Sequence, residues 1–171
     1  MRRLSILIAL IAVLAFAGSA VASSGLQSFG TGDVTIDGDA ATLTNGAGEF
    51  SGVYLKSRSG SGKPLAVVDF SFDYTGSTAG GAPRFSIPLD TGATESVTPY
   101  AFVDALNCGD TGTVDTNASN CQVFLNFSND SFANWDAFAA AHPTWRIAPG
   151  SIPFVIADQP GTYVLTDIVL R

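Results

Sequence analysis

Val68-Asp69-Phe70-Ser71-Phe72-Asp73-Tyr74 alternates four large apolar side chains with three polar ones. Successive side chains of an extended strand point to opposite faces, so a period of two places Val68, Phe70, Phe72 and Tyr74 in a core and Asp69, Ser71 and Asp73 in water. This is the pattern of a half-buried antiparallel strand, and it decides the class of the fold.

The pattern repeats on both sides of this run. Residues 75–82 are rich in glycine and small side chains and turn the chain into Arg84-Phe85-Ser86-Ile87-Pro88-Leu89-Asp90, where Phe85, Ile87 and Leu89 share the inward face. Pro88 has no N–H, which predicts either an edge strand or a donor position directed away from the ladder. Further short runs lie near residues 33–37, 41–45, 50–56, 65–75, 97–106, 121–127, 152–157 and 162–170, separated by clusters of Gly, Ser, Asn and Asp. Short alternating strands at this spacing predict an all-β, jelly-roll-like antiparallel β-sandwich.

One segment departs from it. Asn129-Asp130-Ser131 offers helix N-cap residues, Phe132, Trp135 and Phe138 recur every three positions, and His142-Pro143 supplies a stop, so a short amphipathic helix is expected near 131–142. Trp135 then belongs to the core, His142 sits favourably at the helix C-terminus, and Trp145, beyond the proline, is expected to be exposed.

At the N-terminus, Met1-Arg2-Arg3 precedes an apolar run over 4–16, and Ala20 and Ala22 provide the small residues that signal peptidase requires. The run is too short for a hydrocarbon core of about 30 Å. Residues 1–22 therefore read as a cleaved signal peptide, which makes the protein secreted or part of the cell envelope, with no membrane span after cleavage. What remains, residues 23–171, is 171 − 22 = 149 residues, the size of a single domain. Its six Lys+Arg face 15 Asp+Glu, a net charge of −9, which disfavours nucleic acid and anionic lipid surfaces. Cys108 and Cys121 flank a polar segment, and in an exported chain such a pair reads as a disulfide-closed surface loop. With one histidine in the sequence, a Cys/His zinc cluster cannot be assembled.

Three stretches, Phe50-Ser51-Gly52-Val53-Tyr54-Leu55, the run 68–74 and Gly161-Thr162-Tyr163-Val164-Leu165-Thr166-Asp167-Ile168-Val169-Leu170, resemble the jelly-roll carbohydrate-binding modules of secreted bacterial proteins. The resemblance is one of pattern, and it implies a sandwich that binds glycan without catalysis. The residues themselves carry little that would support chemistry. A nucleophile–histidine site would have to use His142, at a helix end, and a glycosidase would need two facing carboxyls, whereas Glu49 and Glu95 both adjoin loops.

The expected glycan-binding face is the outward side of the middle strands. Asp73, Arg84, Tyr100, Asp104, Gln122 and Asn126 alternate away from the core together with Phe102 and Phe124, and Trp145 adds an aromatic surface. Hydrogen-bonding groups beside aromatic rings match the hydroxyls and C–H faces of sugars. The plainer account is an ion pair between Arg84 and Asp73 and a second core holding Tyr100 and Phe102. A structural calcium is the one metal to consider: Asp33, Asp37, Asp39 and Asp167 are hard donors, and the Asp33 and Asp167 strands are expected to lie close together. The partner is then a glycan or an envelope component. A structural subunit of the envelope or extracellular matrix is the alternative, and a small jelly-roll hydrolase the next.

Overall fold

The computed structural model describes residues 25–55 and 60–170; the signal peptide and its cleavage site lie outside the described residues. The strands are β1 (Leu26–Gly30), β2 (Asp33–Asp37), β3 (Ala40–Asn45), β4 (Ser51–Leu55), β5 (Phe70–Gly76), β6 (Arg84–Asp90), β7 (Tyr100–Asp104), β8 (Thr113–Asp115), β9 (Val123–Leu125) and β10 (Ser131–Phe132). The helix α1 (Trp135–Ala141) follows, then β11 (Arg146–Ile147), β12 (Phe154–Ala157) and β13 (Gly161–Leu170). One sheet runs β1-β4-β12-β6-β7-β9-β10, with β11 also on β6, and the other runs β2-β3-β13-β5-β8.

This is a jelly roll. Among β3, β4, β5, β6, β7, β8, β12 and β13, the first strand pairs with the last, which pairs with the third, which pairs with the sixth. In the facing sheet the second, seventh, fourth and fifth follow one another. β1 and β2 extend one side, and β9 and β10 the other. The inner faces are those that alternation marks. Phe70, Phe72 and Tyr74 of β5 and Tyr163 and Leu165 of β13 pack on Phe85 and Ile87 of β6, Val103 of β7 and Val155 of β12, all buried. Phe72 and Phe85 meet edge to face with ring centroids 4.8 Å apart.

Pro88 lies in a strand with partners on both sides, where the ladder changes hands. β12 pairs with Arg84–Ser86, β11 with Leu89 and Asp90, and the missing N–H faces the gap between them. Leu89 N–H donates to Pro99 O on the β7 side, which fixes that alternation.

Cys108 and Cys121 are joined as a disulfide, but the segment between them is not a loose loop. It contains β8, which pairs with β5 and buries Val114 and Thr116. Thr116 Oγ1 accepts from Phe70 N–H at 3.0 Å and donates to Phe70 O at 3.2 Å, continuing the ladder with a side chain.

The helix is shorter than its signals suggest. Its N-cap is Asn134, whose side chain accepts from Ala137 N–H at 2.9 Å. Residues 131 and 132 instead form β10, because Phe132 gains a pairing with Val123 and still reaches Phe138, 5.2 Å away. Trp135 and Phe138 are core residues. His142 is the C-cap of α1, as expected, and its ring stacks 3.7 Å from that of Trp145 and contacts Phe132 and Phe138. Burial pushes its pKa down, only partly offset by the charge of Asp130.

Among the described residues no helix is long and apolar enough to cross a membrane.

Candidate functional site

The outer face of the larger sheet carries a row of aromatic side chains in register. Across the strands run Gln27, Tyr54, Phe154, Ser86, Phe102, Phe124 and Ser131. The next row is Phe29, Gly52, Ile156, Arg84 and Asp104. With strands about 4.8 Å apart, Tyr54 to Phe124 spans roughly 19 Å, room for several sugar rings end to end.

Two adjoining hollows open on this surface. One, of about 400 Å³, lies between Phe29, Tyr54, Pro88, Tyr100, Ile152 and Phe154. The other, of about 230 Å³, lies over Arg84, Ser86, Phe102 and Ile156 and shares Tyr100 and Phe154 with the first. The rings brace one another: Phe29 meets Phe154 edge-on at 5.2 Å, Tyr100 meets Phe154 at 5.9 Å, and Tyr100 lies parallel to Phe102 at 6.3 Å. Gly52 makes this possible, since a Cβ there would collide with the Phe29 ring and the Val155 carbonyl oxygen. Tyr54 Oη donates to Gln27 Oε1 at 2.6 Å, fixing the phenol at the rim.

The one cation among the described residues on this floor is already paired. Arg84 donates through both terminal nitrogens to Asp158, at 2.7 and 2.6 Å, with the two side chains 18% and 33% exposed. Its guanidinium carbon is 5.2 Å from the centre of the Phe102 ring. The hydrogen bonds from Arg84 hold the Asp158 carboxyl below its ordinary pKa despite partial burial. The groove is therefore a set of aromatic faces with hydroxyls at its margins, and among the described residues its lining carries no unpaired charge.

The expected site residues divide. Arg84 and Tyr100 lie in the groove, as do Phe102 and, in the same row, Phe124. Asp73 does not: it is on β5 in the other sheet, accepting from Thr113 Oγ1 at 2.6 Å. The connection from β5 to β6 crosses between sheets instead of forming a hairpin, so Arg84 finds Asp158, and not Asp73, as its partner. Asp104 shares the outward parity but is 7% exposed. Its carboxylate accepts from Asn107 N–H and Nδ2, each at 2.7 Å, and shapes a turn. Asn126 accepts from Tyr100 N–H and donates to Thr98 O, bracing the start of β7. Gln122 is exposed ahead of β9, and its backbone N–H donates to Asn107 O. Trp145 is half-buried against His142, Phe127 and Phe138 and is no exposed platform.

The calcium pair is also taken apart. Asp33 is opposite Thr44, which is opposite Thr162, while Asp167 lies five residues further along β13, roughly 17 Å away at about 3.4 Å per residue. Among the described residues no three of His, Cys, Asp or Glu are grouped to hold a metal.

Phe29, Tyr54 and Phe154 complete the groove and Asp158 pairs with its arginine, none of them singled out by the sequence. Tyr54 could have been found, because Val53 between two outward neighbours marks its parity. No family model and no curated protein matches the chain.

Proposed function

We propose that this protein is an exported, non-catalytic glycan-binding module that holds a sugar chain across the strands of its larger sheet. The observation that carries the reading is the in-register row Tyr54, Phe154, Ser86, Phe102 and Phe124, flanked by Tyr100 and Phe29, on a face whose arginine is internally neutralised. Sugar rings present apolar C–H faces to such rings and hydroxyls to the tyrosines, Gln27 and Ser86. The intramolecular disulfide supports an oxidising, extracytoplasmic location.

The test is a glycan array and a pull-down on insoluble polysaccharides with the wild type, Tyr100→Ala and Phe154→Ala. A stacked ring contributes about 0.5–1.5 kcal/mol beyond its buried area, so each substitution weakens binding by about tenfold. A wild type that binds no glycan defeats the reading, and one that assembles into filaments replaces it with a structural role. Binding that neither substitution weakens moves the site elsewhere.

A further inference from the structure

We infer that Asp158, acting through Arg84, makes the groove select glycans that carry no charge. The inference rests on the glycan reading above and adds the class of sugar. A free guanidinium on the floor of a binding groove is a recognition group for carboxylates and sulfates, because its planar fork donates two parallel hydrogen bonds. Here the end-on pair of donors, one from each terminal nitrogen, is taken by the two oxygens of Asp158, and the guanidinium lies over the Phe102 ring.

A sugar carboxylate approaching Arg84 must displace Asp158 or lie against it, and like charges in a half-buried site repel. Asp104, opposite Arg84 in the register, adds a second negative charge on the same side. A neutral sugar meets neither obstacle. Asp158 is thus a positioning and selecting residue: it orients Arg84 over Phe102 and removes its appeal to anions.

The experiment compares cellohexaose, xylohexaose and mannohexaose with hexagalacturonate by calorimetry, on the wild type and on Asp158→Asn. The wild type is expected to bind at least one neutral hexamer and to bind hexagalacturonate at least about thirtyfold more weakly, a difference of about 2 kcal/mol. In Asp158→Asn the neutral affinity changes by less than about threefold, while hexagalacturonate gains at least about tenfold. A merely structural role for Asp158 would lower both affinities together.

Hexagalacturonate bound by the wild type as tightly as the neutral hexamers overturns the inference and leaves the glycan reading standing. So does an unchanged ratio in Asp158→Asn. A wild type that binds none of the four overturns both. Should Asp158→Asn fail to fold, the wild type decides through salt. Affinity for the neutral hexamer stays constant between about 20 and about 500 mM NaCl. Hexagalacturonate that tightens at the low-salt end refutes the neutralised floor.

Discussion

Trp135 Nε1 donates to the Leu65 carbonyl oxygen at 2.9 Å, tying α1 to the short 3-10 turn Leu65–Val67 that leads into β5. Both partners are buried, and the indole also meets Phe70 edge-on at 6.1 Å. The helix therefore closes the end of the sandwich nearest the start of β5. Trp135→Phe leaves a buried carbonyl without its donor, which costs about 1–3 kcal/mol, and adds a small void. The urea midpoint is expected to fall while the slope stays unchanged. An unaltered midpoint would make the helix an ornament on the sandwich.

The disulfide constrains an edge strand. Removing it in a Cys108→Ser/Cys121→Ser double variant releases a loop closure worth about 3 kcal/mol in the chain-entropy model. Because β8 lies inside that loop and is held otherwise by a short ladder to β5, its amides should lose protection first. Hydrogen exchange is expected to show Val114 and Thr116 opening ahead of β5 and β13. Simultaneous loss across all strands would show that β8 does not open on its own.

Two groups give the acid limb of stability distinct steps. The folded-state pKa of His142 is depressed, chiefly by burial, so the unfolded chain binds its proton first. Stability then falls as pH drops below about 6.5, the unperturbed imidazole value. The folded-state pKa of Asp158 is depressed by its hydrogen bonds from Arg84. Its contribution is complete above about pH 5 and is lost as pH falls through a folded value below about 3.9. His142→Phe, which preserves an aromatic surface against Trp145, should flatten urea midpoints between pH 7 and 5. Asp158→Asn should flatten only the part below about pH 4. Unchanged slopes in either variant would remove that group from the linkage.

Gly52 is the seat of the Phe29 ring. Gly52→Ala forces the ring outward and presses on the Val155 carbonyl, with a cost of about 1–3 kcal/mol from overpacking. Thermal unfolding should show this cost, and glycan affinity should fall with it because one wall of the larger hollow moves. Retained affinity in the destabilised variant would take Phe29 out of the binding surface.

The architecture was legible wherever alternation was strict. Phe70, Phe72 and Tyr74 are separated by Ser71 and Asp73, and both faces follow from that. Phe154-Val155-Ile156-Ala157 is apolar throughout, so nothing in its own residues says which ones point outward, and Phe154 at the centre of the groove was invisible. Alternation also assigns inside and outside without assigning a sheet, so it puts Asp73 and Arg84, both outward, on one surface although their strands belong to opposite sheets. Asp158 follows a strand end and reads as a solvated turn residue; only the register with Arg84 gives it a partner. β1 escaped because Leu26-Gln27-Ser28-Phe29-Gly30 is too short and mixed to signal a strand without the β4 neighbour that pairs with it.

The change of ladder at Pro88 has a consequence for how such a protein can diversify. β11 and β12 both lie on the same flank of β6, one on each side of the proline, and the chain between them, residues 148–153, leaves the sheet. Ser151 and Ile152 in that excursion wall the larger hollow, while its backbone is held by Ala148 N–H on Pro88 O and Ser151 N–H on Ala148 O. The end of the groove is thus built from a segment free of strand pairing. Insertions or deletions there would lengthen, shorten or roof the groove while every strand of the jelly roll keeps its partner, so ligand length and fold stability can be inherited as separate traits.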